Sequence, residues 1–171
     1  KLCEEVKGNL EREVKRRIQS RLKEQVMDAL IEVAPIEVPK ALVQAESNQL
    51  ADNARRDLEM RGLKTKDIPV DPSWFKDQAE RRVKLGLIMA ELVKTSELHA
   101  KPEQIRALVE EMAQSYEDPS ELVRWYYAQP ERLAQAEAVV IEDNVVEWVC
   151  AKADTSDKDV AFDELMGNNA A

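Results

Sequence analysis

Covalent chemistry at neutral pH calls for a histidine, an activated cysteine or converging carboxylates, and this sequence holds each only in isolation. His99 is the single histidine of 171 residues. That excludes a histidine-rich metal site, and the simplest reading is an exposed or loosely packed side chain near a helix end. Cys3 and Cys150 stand almost a chain length apart, with no CxxC spacing and no basic or histidine neighbour pattern to activate a thiol. Glu4-Glu5, Glu110-Glu111 and Glu142-Asp143 are adjacent pairs. On a helix such neighbours diverge by about 100°, so they face solvent rather than cradle a cation. Neither GxSxG nor HExxH occurs, and four glycines cannot build a phosphate-binding loop. No catalytic residue, metal ligand set or cofactor is therefore assigned. Lys15, Arg16, Arg17, Arg21 and Lys23 make a basic patch, but acids interleave it. RNA binding there would reveal itself by a steep salt dependence.

The bulk composition points the same way. A net charge of −9 argues against nucleic acid as a direct partner. Charge is uneven: residues 130–171 carry ten acids against three bases, whereas the first thirty residues are mildly basic. Two cysteines suit a reducing compartment without a disulfide framework. No apolar run approaches the roughly 20 residues that span a bilayer, so no membrane partner is expected. The chain opens at Lys1, without methionine and inside a helical pattern, and is expected to be a piece of a longer protein.

Prolines punctuate the elements. Pro39, Pro72, Pro102, Pro119 and Pro130 each precede a helical pattern, where a missing N–H costs nothing. Asp71 and Asp118 stand as N-caps before two of them. With no sustained alternation of period two, the fold is read as all-α, with helices over about 2–33, 39–61, 72–98, 102–116, 119–128 and 130–153. In the first, apolar residues recur every four positions from Leu2 to Leu30. Each such step advances roughly 40° around the axis, so the stripe winds and its two ends must meet different partners. That helix would be about 48 Å long, more than the diameter near 40 Å of a compact chain of this size, so an elongated body is expected. The second helix is thin in anchors, with Leu42, Val43, Leu50, Ala54 and Leu58, and reads as one limb of a projecting arm ending at a Gly62 cap. Residues 85–93, LGLIMAELV, are apolar nearly all round and read as buried, with Gly86 admitting a neighbouring helix. Phe162, Leu165 and Met166 could dock back as a short amphipathic turn after the acidic tail.

The most telling stretch is residues 110–127, EEMAQSYEDPSELVRWYY. The chain has three tryptophans, three tyrosines and two phenylalanines, and Tyr116, Trp125, Tyr126 and Tyr127 all fall here. Two readings stand for Met112, Tyr116, Leu122, Trp125 and Tyr126. They form ordinary core, or they form an adaptable contact surface on short helices where a dry core is hard to complete.

This stretch, together with DQAERRVKLGLIMAELVKTSEL over residues 77–98, EEMAQSYEDP over 110–119 and FDELM over 162–166, resembles bacterial trigger factor, a ribosome-associated chaperone family. The resemblance covers essentially all 171 residues but only the C-terminal part of that family. It implies one helical substrate-binding domain over residues 1–171, with a first arm at about 34–71 and a second at about 99–150. It also implies binding of unfolded or nascent polypeptides without ATP, in the bacterial cytoplasm, in support of folding and export. The positions matching client-binding patches are Leu42, Leu50 and Leu58 on the first arm, and Met112, Tyr116, Leu122, Trp125 and Tyr126 on the second. The loop over residues 59–71 departs from the family pattern, so no client contact is assigned near Met60, Leu63 or Ile68. Nothing here resembles the ribosome-docking or prolyl-isomerase domains, so the resemblance implies neither activity for this chain itself. Exposed apolar patches are compatible with a homodimer. The competing reading is a helical adaptor that binds one folded partner.

Overall fold

The structure, a computed structural model, describes residues 2–63, 70–114, 116 and 118–167, and the side chains of these except residues 2, 3 and 5. The Cys3 side chain and Ile68 thus lie outside the described residues. In chain order the helices are α1 (Leu2–Val33), α2 (Lys40–Met60), α3 (Lys76–Thr95), α4 (Pro102–Ala113), α5 (Pro119–Tyr127), α6 (Pro130–Lys152) and α7 (Phe162–Met166), with a 3-10 turn at Pro72–Phe75 before α3. Among the described residues there is no strand. The all-α reading holds, and each expected helix is present with ends displaced by a few residues. Packing divides the chain into two units, one of Lys1–Asp28 with Leu92–Ala171 and one of Ala29–Glu91.

In the unit Ala29–Glu91, Val43, Leu50 and Ala79 form a small core against which Val38 and Phe75 pack. The sequence makes α2 look thin, yet Val43, Ser47, Leu50 and Ala51 are all buried on it. Their spacing is i, i+4, i+7 and i+8, one face of a helix. Two of the four are small polar or methyl side chains, which an anchor count overlooks but which let α2 approach the 3-10 turn closely. The helix ends as expected near Gly62, at φ 79°. Leu63 N–H reaches Leu58 O at 3.0 Å and Gly62 N–H reaches Glu59 O at 2.9 Å, a Schellman arrangement that satisfies the last carbonyls. Polar clamps surround the core: Arg82 pairs with Glu46 at 3.0 Å, Lys84 donates to Ile31 O at 2.9 Å, and Arg55 donates to Val70 O at 2.7 Å.

Residues 85–93 correct the sequence reading. Of these, Ile88 alone is buried, and Leu87 is 38% exposed. A Cβ built on Gly86 meets nothing within 4 Å, so no close neighbour explains that glycine. An all-round apolar helix needs partners on every side, and the described packing buries Ile88 while leaving Leu85, Met89, Leu92 and Val93 half-covered. Gly86→Ala is therefore expected to stabilise this chain by about 0.5–1 kcal/mol, because it removes the backbone entropy of a mid-helix glycine without a clash. Thermal unfolding of the two chains checks this.

In the other unit α4 packs on α5 and α6, and α5 on α6. Val109, Ala113 and Val145 are fully buried there, with Ala136, Val140 and Val146 nearly so. The turn before α4 is held by an amide pair. Gln104 Nε2 donates to Asn144 Oδ1 at 2.8 Å, Asn144 Nδ2 donates to Leu98 O at 3.3 Å, and Gln104 Oε1 accepts from Lys101 N–H at 3.0 Å. On α1, Val26 and Met27 are buried, whereas Val6, Leu10, Ile18 and Leu22 are between 39% and 52% exposed. The winding stripe thus meets its packing only towards the C-terminal end. On α7, Leu165 and Met166 are half-buried, and Glu164 lies 3.8 Å from Arg21. Phe162, expected to dock with them, stays 50% exposed.

Candidate functional site

The basic patch on α1 is largely matched by acids. Lys15 faces Glu111 at 3.9 Å, Arg17 pairs with Glu13 at 2.9 Å, and Lys23 reaches both Glu142 and Asp143 at 3.0 Å. Burial pulls the Lys23 ammonium down, but its hydrogen bonds to Glu142 and Asp143 and their charges outweigh that and hold its pKa above the usual value. His99 is exposed and Cys150 is a half-buried free thiol. Among the described residues no three of His, Cys, Asp or Glu gather as a metal site. Among them, too, no helix is long and apolar enough to cross a membrane.

What does gather is apolar. Helix α5 has nine residues and no fully buried one, so it depends on its cap and its neighbours. The Asp118 carboxylate accepts from Ser120 N–H at 3.0 Å, Glu121 N–H at 3.1 Å and Ser120 Oγ–H at 3.0 Å. Leu122, Val123 and Tyr126 form its half-buried face, and Trp125 and Tyr127 stand outside at 48% and 49% exposure. Tyr126 O–H points at the Met112 sulfur of α4, 3.9 Å away, and meets the Trp125 ring edge-on with centroids 5.2 Å apart. The Arg132 guanidinium, from the first turn of α6, lies 3.6 Å from the Trp125 ring centroid and donates to Trp125 O at 2.8 Å. Met112 is 43% exposed and Tyr116, just beyond α4, 60%. Met112, Tyr126 and Trp125 are thus linked across α4 and α5 as a partly exposed aromatic and thioether surface, with Tyr116 exposed just beyond α4.

The Asp118 cap gives this surface a pH dependence. The Glu121 N–H, then the Ser120 hydroxyl, hold the Asp118 carboxyl below the usual carboxylate range. A folded pKa below the unfolded one contributes stability at pH above the unfolded value and loses it as pH falls through the folded one. On acidification through and below the usual carboxylate range, α5 is thus expected to lose its cap. Asp118→Asn, which caps without titrating, should remove this component. Amide signals of Ser120 and Glu121 followed against pH in both chains check it.

The first-arm positions are placed differently. Leu42 is 45% exposed, Leu58 is half-buried, and Leu50 is 8% exposed within the core of its unit. Leu50 already spends its surface on Val43 and Ala79, so the structure does not bring these three together as one exposed patch. Beside that core runs a groove of about 710 Å³, with Lys40, Lys76, Asp71 and Glu80 among its lining residues. Sequence reasoning left three exposed groups out of the site. Trp74 is 67% exposed, Met60 79% and Tyr127 49%. For Trp74 a signal existed: Asp71 accepts from Ser73 N–H at 2.8 Å and fixes the turn, and with Phe75 turned to the core its neighbour faces out.

Comparison with known proteins adds a family. The model of the bacterial trigger factor protein C-terminus matches residues 1–151. The chain is 79% identical over 170 residues to trigger factor of Azoarcus sp. (strain BH72), covering 99% of this chain and 39% of that protein. It is 75% identical over 170 residues to trigger factor of Aromatoleum aromaticum, again 99% of this chain and 39% of the relative. Trigger factor of Dechloromonas aromatica is 59% identical over 167 residues, which cover 98% of this chain and 38% of the relative. The chain thus spans well under half the length of these relatives.

Proposed function

Because the chain belongs to the bacterial trigger factor family, matched through that family's C-terminal part, we propose that it is a chaperone module that holds unfolded or nascent polypeptides without ATP or covalent chemistry. The observation that carries this reading is the exposure of Met112 and Trp125, at 43% and 48%, on the surface they form with Tyr126, with Tyr116 60% exposed just beyond α4. Side chains of this kind adapt to varied apolar partners. Each fully buried client group contributes about 1.5–3 kcal/mol at best, and ordering the client removes much of it. A single patch then binds weakly and releases readily, and several patches on one client gain through effective concentration.

In this reading the chain offers a first arm at about 34–71 and a second at about 99–150. Leu42, Leu58 and Leu122 supply secondary contacts; Leu50 does so only where its core opens. Ribosome docking and prolyl isomerisation belong to the part of trigger factor beyond this chain. The work is done in the cytoplasm, and a homodimer through the apolar surfaces fits the same chemistry.

Light scattering of a chemically denatured protein diluted into buffer tests the proposal. A stoichiometric amount of this chain is expected to suppress aggregation, with no effect of ATP and little effect of added salt. Undiminished aggregation would overturn it.

A further inference from the structure

We propose that Arg132, stacked 3.6 Å over the Trp125 ring and bonded to the Trp125 carbonyl, is a positioning residue that fixes this indole as a ready-made platform for aromatic and aliphatic client side chains. The inference rests on the client-holding reading and deepens it. Trp125 is 48% exposed, and a half-exposed indole on a nine-residue helix would ordinarily sample several rotamers. Three contacts restrain it here. Tyr126 meets its ring at an interplanar angle of 83°, the Arg132 guanidinium lies over the ring, and Arg132 Nη1 donates to the Trp125 carbonyl at 2.8 Å. The last two come from one side chain across the α5–α6 turn, so a single residue secures both the ring and the backbone that carries it. A planar, weakly hydrated guanidinium suits this double duty better than an ammonium. Fixing the rotamer beforehand removes an ordering cost that client binding would otherwise bear.

A double-mutant cycle tests the assignment. Anisotropy of fluorescein-labelled, reduced and carboxymethylated α-lactalbumin, which cannot refold, is titrated with the parent chain, R132A, W125A and the double variant. R132A is expected to weaken binding about three- to tenfold, the effect of freeing one large side chain. In the W125A background it should add nothing, and R132K, which keeps a cation and a donor, should restore part of the loss. In a chain carrying W74F and W148F, the remaining Trp125 fluorescence should depolarise faster and quench more readily with acrylamide once Arg132 is replaced by Ala. If W125A weakens binding while R132A does not, the positioning role is wrong and the client-holding reading stands. The positioning role is equally wrong if R132A weakens binding to the same degree without Trp125. If W125A itself changes nothing, Trp125 is no platform and the positioning role is overturned, whereas failure of the parent chain to bind this client would overturn the client-holding reading.

Discussion

Serine at Met112, Tyr116 and Trp125 together is expected to weaken binding of an unfolded client by about thirtyfold while leaving helix content unchanged. The three side chains are 43%, 60% and 48% exposed, so each still has roughly half its area to give. Full burial of such groups contributes about 1.5–3 kcal/mol apiece. Halving that for the area already covered, and subtracting the ordering of client and side chains, leaves about 2 kcal/mol for the set, or about thirtyfold in affinity. Tyr126 is kept out of the variant because it is half-buried and its hydroxyl contacts the Met112 sulfur; replacing it would confuse a lost contact with a loosened helix. A titration of labelled client, with circular dichroism on the same samples, separates the two effects. Leu50→Ala provides the contrast: its side chain is in the core, so it should cost about 2–5 kcal/mol of stability, as large-to-small core changes do.

The second large effect is expected at Val145. This residue has no exposed surface and sits on α6 within the unit where α4, α5 and α6 pack together. Val145→Asp would bury a carboxylate with no cation assigned to meet it, and a loss beyond about 4 kcal/mol is expected, the range reserved for buried unpaired charge. Val145→Ala removes only two methyl groups and should cost about 2–3 kcal/mol. Hydrogen exchange of α4 and α6 amides reads the difference: protection should persist in the alanine variant and collapse in the aspartate variant. Equal behaviour of the two would mean that Val145 is not in a dry core.

Much of this architecture was legible in advance because its punctuation is chemical. Asp71 and Asp118 accept the N–H groups that an N-cap should, and Gly62 closes α2 in the left-handed conformation expected of it. Burial was harder to read, since it depends on what lies opposite a face rather than on the face itself. Residues 85–93 are apolar on every side, yet the described packing buries Ile88 alone and leaves Leu85, Met89, Leu92 and Val93 half-covered. Conversely α2 buries Ser47 and Ala51, which no count of large side chains would choose. The aromatic stretch was visible as composition, but its inner and outer members were not. Tyr126 and Tyr127 are adjacent, and only the packing of α5 on α4 and α6 decides that the first turns inward. Arg132 gave no signal at all, because its partner Trp125 lies seven positions away across a turn whose geometry the sequence does not state.

In the proposed function, this chain holds non-native polypeptide on several weak surfaces at once. The most direct measurement is a titration with a client that cannot fold, observed through the Leu, Val, Ile and Met methyl signals of the chain. Shifts at Met112, Leu122, Leu42 and Leu58, with separate client segments competing for them, are the predicted result. Silence at those methyls, or shifts confined to one site and produced only by a folded protein, would contradict it and favour an adaptor whose aromatic cluster is ordinary packing.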